Sequence, residues 1–159
     1  MTAIKKILHP TDFSERSLAA LPLAIDLAQR YEAELHCLHV VEMPSEFILE
    51  DSYMLPLVTE YQPDYGKLKE AAESHLEEFV AQHVPDLRSP VKKAVVTGKP
   101  FAEIIRYARE QNIDLIVLGT HGRSALASVL LGSVAEKVVR KAPCAVLTVR
   151  HPEHRFEAP

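Results

Sequence analysis

The chain has 159 residues, 47% apolar and 25% charged, and 22 acidic residues against 18 basic ones give a net charge of −4. This is the size and make-up of one globular domain with a substantial core. Without a long basic run it lacks the concentrated positive surface needed for broad binding to nucleic acid or an anionic membrane, so neither partner is expected.

The amino terminus, Met1 to Pro10, has no long apolar region of the kind that directs secretion. No apolar run approaches the roughly 18 residues of a membrane span, and the cytoplasm is the expected location. From there strand-like runs alternate with helix-like stretches, the pattern of an α/β domain with a mainly parallel sheet. Ile4 to Leu8 reads as a short strand. Ser14 to Tyr31 reads as a helix with Leu18, Leu21, Ile25 and Ala28 on one face, capped by Asp12 or Ser14 and kinked at Pro22. Glu34 to Val41 is the second strand. Residues 42 to 65 hold Pro44, Pro56 and Pro63 without a clean period and read as a long loop.

Leu68, Ala72, Leu76, Phe79 and Val80 mark an amphipathic helix that closes at Pro85. Val91 to Thr97 is the third strand, and Pro100 opens a helix whose inner face is Phe101, Ile104, Ile105 and Ala108. Leu115 to Leu118 is a continuous apolar run, as expected of a central parallel strand covered on both faces. Ser133 to Lys141 is a helix whose Ser133-x-x-Glu136 start matches a capping box. Cys144 to Val149 is the last strand and 151–159 a polar tail, which leaves residues 1–150 as a single domain. Cys37 and Cys144 lie in apolar strand-like runs and read as buried, reduced thiols.

Three of the five glycines fall in one stretch, Gly119-x2-Gly122-x9-Gly132-Ser133, between the fourth strand and the last helix. Glycine lets backbone N–H groups approach a ligand, and a helix start offers unpaired donors and partial positive charge to an anion. The stretch therefore reads as a phosphate cradle. Loops after parallel strands meet at the carboxyl edge of the sheet, so Pro10-Thr11-Asp12 joins it if the first and fourth strands are neighbours. Asp12 then reaches ribose hydroxyls or a base amine, and the backbone at Val40 and Val41 an adenine edge.

Blander readings stand beside these. Asp12 and Ser133 both suit helix caps, Gly132 suits a turn, and His121 and Arg123 are either phosphate donors or solvated loop residues. Glu136 in the first helical turn competes for the donors a phosphate would use. His9, His36 and His39 do not make a zinc site, because residues 36 and 39 point to opposite faces of a strand. The motifs G-x-x-x-x-G-K-[ST], G-x-G-x-x-G after the first strand and G-x-S-x-G are absent, against a standard phosphate loop, a dinucleotide fold and a hydrolase nucleophile.

Five stretches stand out together: Ile7-Leu-His-Pro-Thr-Asp-Phe-Ser14, Leu38-His-Val40, Asp114-Leu-Ile-Val-Leu-Gly-Thr-His-Gly-Arg123, Leu131-Gly-Ser-Val-Ala-Glu136 and Ala142-Pro-Cys-Ala-Val146. In these the chain resembles a universal stress protein, over about residues 3 to 150. Within that family the G-x2-G-x9-G-[ST] element separates members that bind ATP from those that bind no nucleotide, and it is complete here. The resemblance implies a Rossmann-like, adenine nucleotide alpha hydrolase-like fold, with a five-stranded open parallel sheet of order 3-2-1-4-5 and helices on both faces. It implies adenosine contacts from Pro10, Thr11, Asp12 and the Val40 backbone. Gly119, His121, Gly122, Arg123, Gly132, Ser133 and Val134 would line the ribose and phosphates, with Glu136 turned away.

The expected function is ATP binding by a regulatory protein of the stress response, with Mg or Mn held mainly by the phosphates and very slow hydrolysis or none. No catalytic residue or protein metal ligand is assigned. One alternative is an interaction module holding AMP, a cyclic nucleotide or nothing; another is an adenylate-chemistry enzyme, disfavoured by the lack of a pyrophosphate loop after the first strand. A homodimer is expected through the last strand, Cys144 to Val149, whose exposed edge invites pairing, together with a signalling partner of unknown identity.

Overall fold

The structure, a computed structural model, describes residues 3–43, 63–120 and 131–151. The strands are β1 (Lys6–Pro10), β2 (Glu34–Glu42), β3 (Val91–Gly98), β4 (Leu115–Gly119) and β5 (Ala145–Val149). They form one parallel sheet in the order β3-β2-β1-β4-β5, as the resemblance implied. Among the described residues five helices lie between the strands: α1 (Glu15–Leu18), α2 (Leu21–Tyr31), α3 (Tyr65–His83), α4 (Pro100–Glu110) and α5 (Ser133–Lys141). The chain steps outward from β1 to β2 and β3, then returns past β1 to β4 and β5. The order therefore reverses between β1 and β4, whose following loops leave in opposite directions and open a crevice.

Two apolar layers sandwich the sheet. Ile7, Leu35, Cys37, Leu115 and Val117 face α2 and α3 with Ala24, Ala28, Leu76 and Phe79. Leu8, Leu38, Ile116 and Leu118 face α4 and α5 with Ile104, Tyr107, Ala135 and Val138. Leu115 to Leu118 is buried throughout, which explains its unbroken apolar run. Cys37 is fully buried, and burial pushes its thiol up to about 12, so it stays protonated. Cys144 is only half-buried; like Cys37, it is a free thiol.

Several expected elements differ in detail. The Ser14–Tyr31 helix is two helices, α1 and α2, joined by a turn at Ala19 and Ala20. Pro22 does not kink a continuous helix: it sits in the first turn of the second one, where its missing N–H has no partner to lose. Ser14, not Asp12, caps α1, its Oγ accepting from the Ser17 N–H at 3.2 Å. The first strand runs to Pro10, four residues in register with β2 beyond Lys6. Most of the proline-rich loop, residues 44–62, and the tail from residue 152 lie outside the described residues.

Candidate functional site

At the carboxyl end of β1 the chain makes a tight turn held by its own side chains and by β2. The Thr11 N–H donates to the Leu38 carbonyl at 2.9 Å. His39 Nδ1 donates to the Thr11 carbonyl at 2.9 Å. The Ser17 hydroxyl donates to the Ser14 carbonyl at 2.9 Å, so the Thr11 hydroxyl must donate to Ser17 Oγ, 3.1 Å away, while accepting from the Phe13 N–H at 3.0 Å. Thr11 thus shapes the turn, with its polar groups committed inside it. Asp12 Oδ1 accepts from the N–H and the hydroxyl of Ser14, so Asp12 braces the residue that caps α1. Phe13 then takes a left-handed backbone with φ of 64°, which costs an L-residue on the order of 1–2 kcal/mol.

The neighbouring strand supplies a recognition edge. The N–H of Glu34 donates to Lys5 on the β1 side, whereas those of Leu35 and Met43 donate to Pro90 and Gly98 on the β3 side. Peptide groups of a parallel strand alternate between its two neighbours, so Val40 faces the β1 flank and Val41 faces β3. The β1–β2 ladder ends at the Pro10–Leu38 pair. Val40 lies two residues beyond that end and presents an N–H and a C=O to the crevice. Val41, expected beside it, is turned to the wrong flank and paired with Thr97 of β3.

Across the crevice, β4 ends at Gly119. A Cβ there would come within 2.6 Å of the Arg16 carbonyl oxygen, so this glycine is needed for α1 to pass over the end of β4. Thr120 is buried; its N–H donates to Val149 at 2.9 Å and its carbonyl accepts from Gly132 at 2.6 Å. Both ends of the glycine segment are therefore pinned at one residue. His121, Gly122 and Arg123 lie outside the described residues.

The capping box expected at Ser133 does not form, because Gly132 holds the N-cap position and Ser133 is the first residue inside α5. A glycine N-cap carries no side chain to satisfy the first N–H groups of the helix. Glu136, the acid of the first turn, pairs with Arg140 at 3.3 Å one turn onward, so its carboxylate points away from the helix start. The first turn of α5, Ser133 to Ala135, therefore presents donors and partial positive charge to the carboxyl edge.

Two histidines beneath the site are neutral for a shared reason. His9 is wholly buried on β1; desolvation pulls it down to about 4, against the raising effects of its bond to Val117 and of Asp12 nearby. Its Nδ1 donates to the Val117 carbonyl at 3.1 Å, leaving Nε2 without a hydrogen-bond partner among the described residues. His36 is lowered mainly by burial and bonds the Tyr107 hydroxyl at 2.9 Å on the other face. His39 lies on the α3 face against Phe13, so the two histidines of β2 do point apart. No cluster of three or more His, Cys, Asp or Glu suited to a metal occurs among the described residues.

Comparison with known proteins agrees with this architecture. The model of the universal stress protein family matches residues 3–150. The chain belongs to that family. Among its relatives, universal stress protein MJ0531 of Methanocaldococcus jannaschii is 36% identical over 149 residues, covering 94% of this chain and 84% of the relative. Universal stress protein MJ0577 of the same organism is 34% identical over 155 residues, 92% of this chain and 94% of the relative. The solved structure of MJ0577 superposes with a TM-score of 0.72, 31% identity and coverage of 96% and 99%. A solved universal stress protein in complex with cAMP gives a TM-score of 0.58 at 27% identity, covering 94% of this chain and 98% of that one.

For this universal stress protein, the fold brings Pro10, Thr11, Asp12, Val40, Gly119, Gly132, Ser133 and Val134 to one sheet edge. Thr120 closes the glycine segment without a signature in the sequence, because its role lies in backbone bonds that any residue type can make. In the sequence His39 suggests only a metal ligand; its bond to Thr11 depends on strand register that spacing alone does not reveal.

Proposed function

We propose that this carboxyl-edge crevice binds ATP and that the protein is a nucleotide-dependent regulator of the stress response in the cytoplasm. The observation that carries the reading is the start of α5: a glycine N-cap, with its nearby acid drawn off by Arg140, at the same edge as the outward peptide of Val40. One peptide with both a donor and an acceptor suits an adenine edge, and the open helix start suits phosphate. Pro10, Thr11 and Asp12 would form the ribose side. Gly119, His121, Gly122, Arg123, Gly132, Ser133 and Val134 would line the phosphates, with Mg or Mn held mainly by those phosphates. Each hydrogen bond to a charged oxygen contributes about 1.5–3 kcal/mol, so three such donors plus a buried base reach roughly −8 kcal/mol, micromolar affinity.

Turnover is a separate demand. Phosphoryl transfer needs an oriented nucleophile and charge stabilisation at the transferred group. Asp12 is already committed to bracing Ser14, and we assign it to the ribose, with hydrolysis very slow or absent. The solved relative in complex with cAMP favours a second reading, in which a cyclic nucleotide or AMP is the ligand. Mass spectrometry of the nucleotide released from purified protein decides between them: ATP supports the first reading, AMP or a cyclic nucleotide the second. We further propose a homodimer through β5, the edge strand on which Leu147 stands 37% exposed.

A further inference from the structure

Phe13 is neither glycine nor asparagine, yet it holds a left-handed backbone immediately after Asp12. Such a conformation persists only where surrounding contacts determine it. Its ring lies between two imidazoles: His39 at 4.3 Å between centroids with planes 27° apart, and His75 at 4.0 Å with planes 20° apart. Phe79 meets it edge-on at 5.6 Å. His39 comes from β2, whereas His75 and Phe79 stand one turn apart on α3, so two other elements close on this one ring. The same three-ring column grips the nucleotide turn by its backbone. Phe13 donates its N–H to Thr11 Oγ1, and His39 donates from Nδ1 to the Thr11 carbonyl. Asp12 sits between the two residues so held. The column lies on the α3 face, whereas Val40 and Val134 pack on the opposite face, so binding through those two groups does not itself require it.

We propose that the His39–Phe13–His75 stack is a clamp that fixes the Pro10–Asp12 turn for nucleotide binding, with Phe13 and His75 as positioning residues that tie α3 to nucleotide affinity. The inference rests on the adenine-nucleotide reading above. Because coupling is reciprocal, whatever factor α3 docking adds to nucleotide affinity, nucleotide must add to α3 docking.

His75 is exposed, so its variants change the column with little effect on the core. ATP titration calorimetry on the full chain is expected to show affinity three- to tenfold weaker in His75→Ala, at a thermal midpoint close to wild type. His75→Phe restores the affinity, whereas His75→Leu, apolar but not planar, does not. Phe13→Gly relaxes the backbone and deletes the ring; it is expected to bind more weakly, and binding at or above wild-type affinity overturns the clamp. Amide exchange at residues 11–17, measured without nucleotide, separates this inference from the ligand reading. Faster exchange in His75→Ala supports the clamp even if the wild type takes no ATP, and unchanged exchange overturns it even if the wild type binds ATP well.

Discussion

Gly119 and Gly132 belong to one sequence element, yet they are glycine for different reasons. At Gly119 a side chain would strike the Arg16 carbonyl of α1, backbone that cannot swing aside. Gly119→Ala is therefore expected to cost about 1–3 kcal/mol of stability by urea denaturation, whatever it does to ligand binding. Spacing alone could not separate these roles, because a crossing helix and an approaching ligand exclude a Cβ equally well. His9 makes a prediction of a different kind. Its value is about 4 when folded against 6.5 for the free side chain, so between those values the unfolded chain binds a proton that the folded one refuses. Stability therefore falls as pH drops from about 6.5 to about 4, by a loss on the order of 3 kcal/mol, and is flat in this term above that window. Denaturant curves across pH 7.5 to 4.5 check it: His9→Gln should flatten the slope, and an unchanged slope would remove His9 as its source.

At the scale of elements, alternation of apolar runs was enough to read every strand of the sheet, because β4 is covered on both faces and β2 nearly so. Residues 14–31 read as one helix because the apolar period of Leu18, Leu21, Ile25 and Ala28 continues across the break between α1 and α2. What interrupts it is the turn at Ala19–Ala20, after α1 has crossed Gly119, a tertiary cause without a local signature. Pro22 in the first turn of α2 favours that helix start and breaks no bond. Pro22→Ala is thus expected to lower stability by roughly 0.5 kcal/mol, with helical content by circular dichroism unchanged. A gain in helicity would mean that the proline itself causes the break. The capping box at Ser133 failed for a related reason: the spacing fits, but Gly132 takes the N-cap position and Glu136 turns to Arg140.

At the scale of the whole molecule, the switch between β1 and β4 collects the Pro10–Asp12 turn, the Val40 peptide and the start of α5 at one edge. β5 is the terminal strand of the sheet and carries the exposed Leu147, which is where we propose that a second copy pairs. Light scattering at micromolar concentration should give a dimer for the wild type and a monomer for Leu147→Lys; a wild-type monomer would contradict pairing through β5. Of the residues the resemblance names, Pro10, Thr11, Asp12, Val40, Gly119, Gly132, Ser133 and Val134 gather at one sheet edge, whereas the outward turn of the Val40 peptide follows only from strand register. The proposed phosphate site at the start of α5, where Gly132 is the N-cap, is tested most directly by Gly132→Asp. Aspartate at an N-cap strengthens a helix and places a carboxylate where the phosphate would sit. Calorimetric titration with ATP, beside urea denaturation of the same samples, should show stability equal to or a few tenths of a kcal/mol above wild type and ATP affinity at least about 100-fold weaker. A stable Gly132→Asp protein that binds ATP as the wild type does would contradict it.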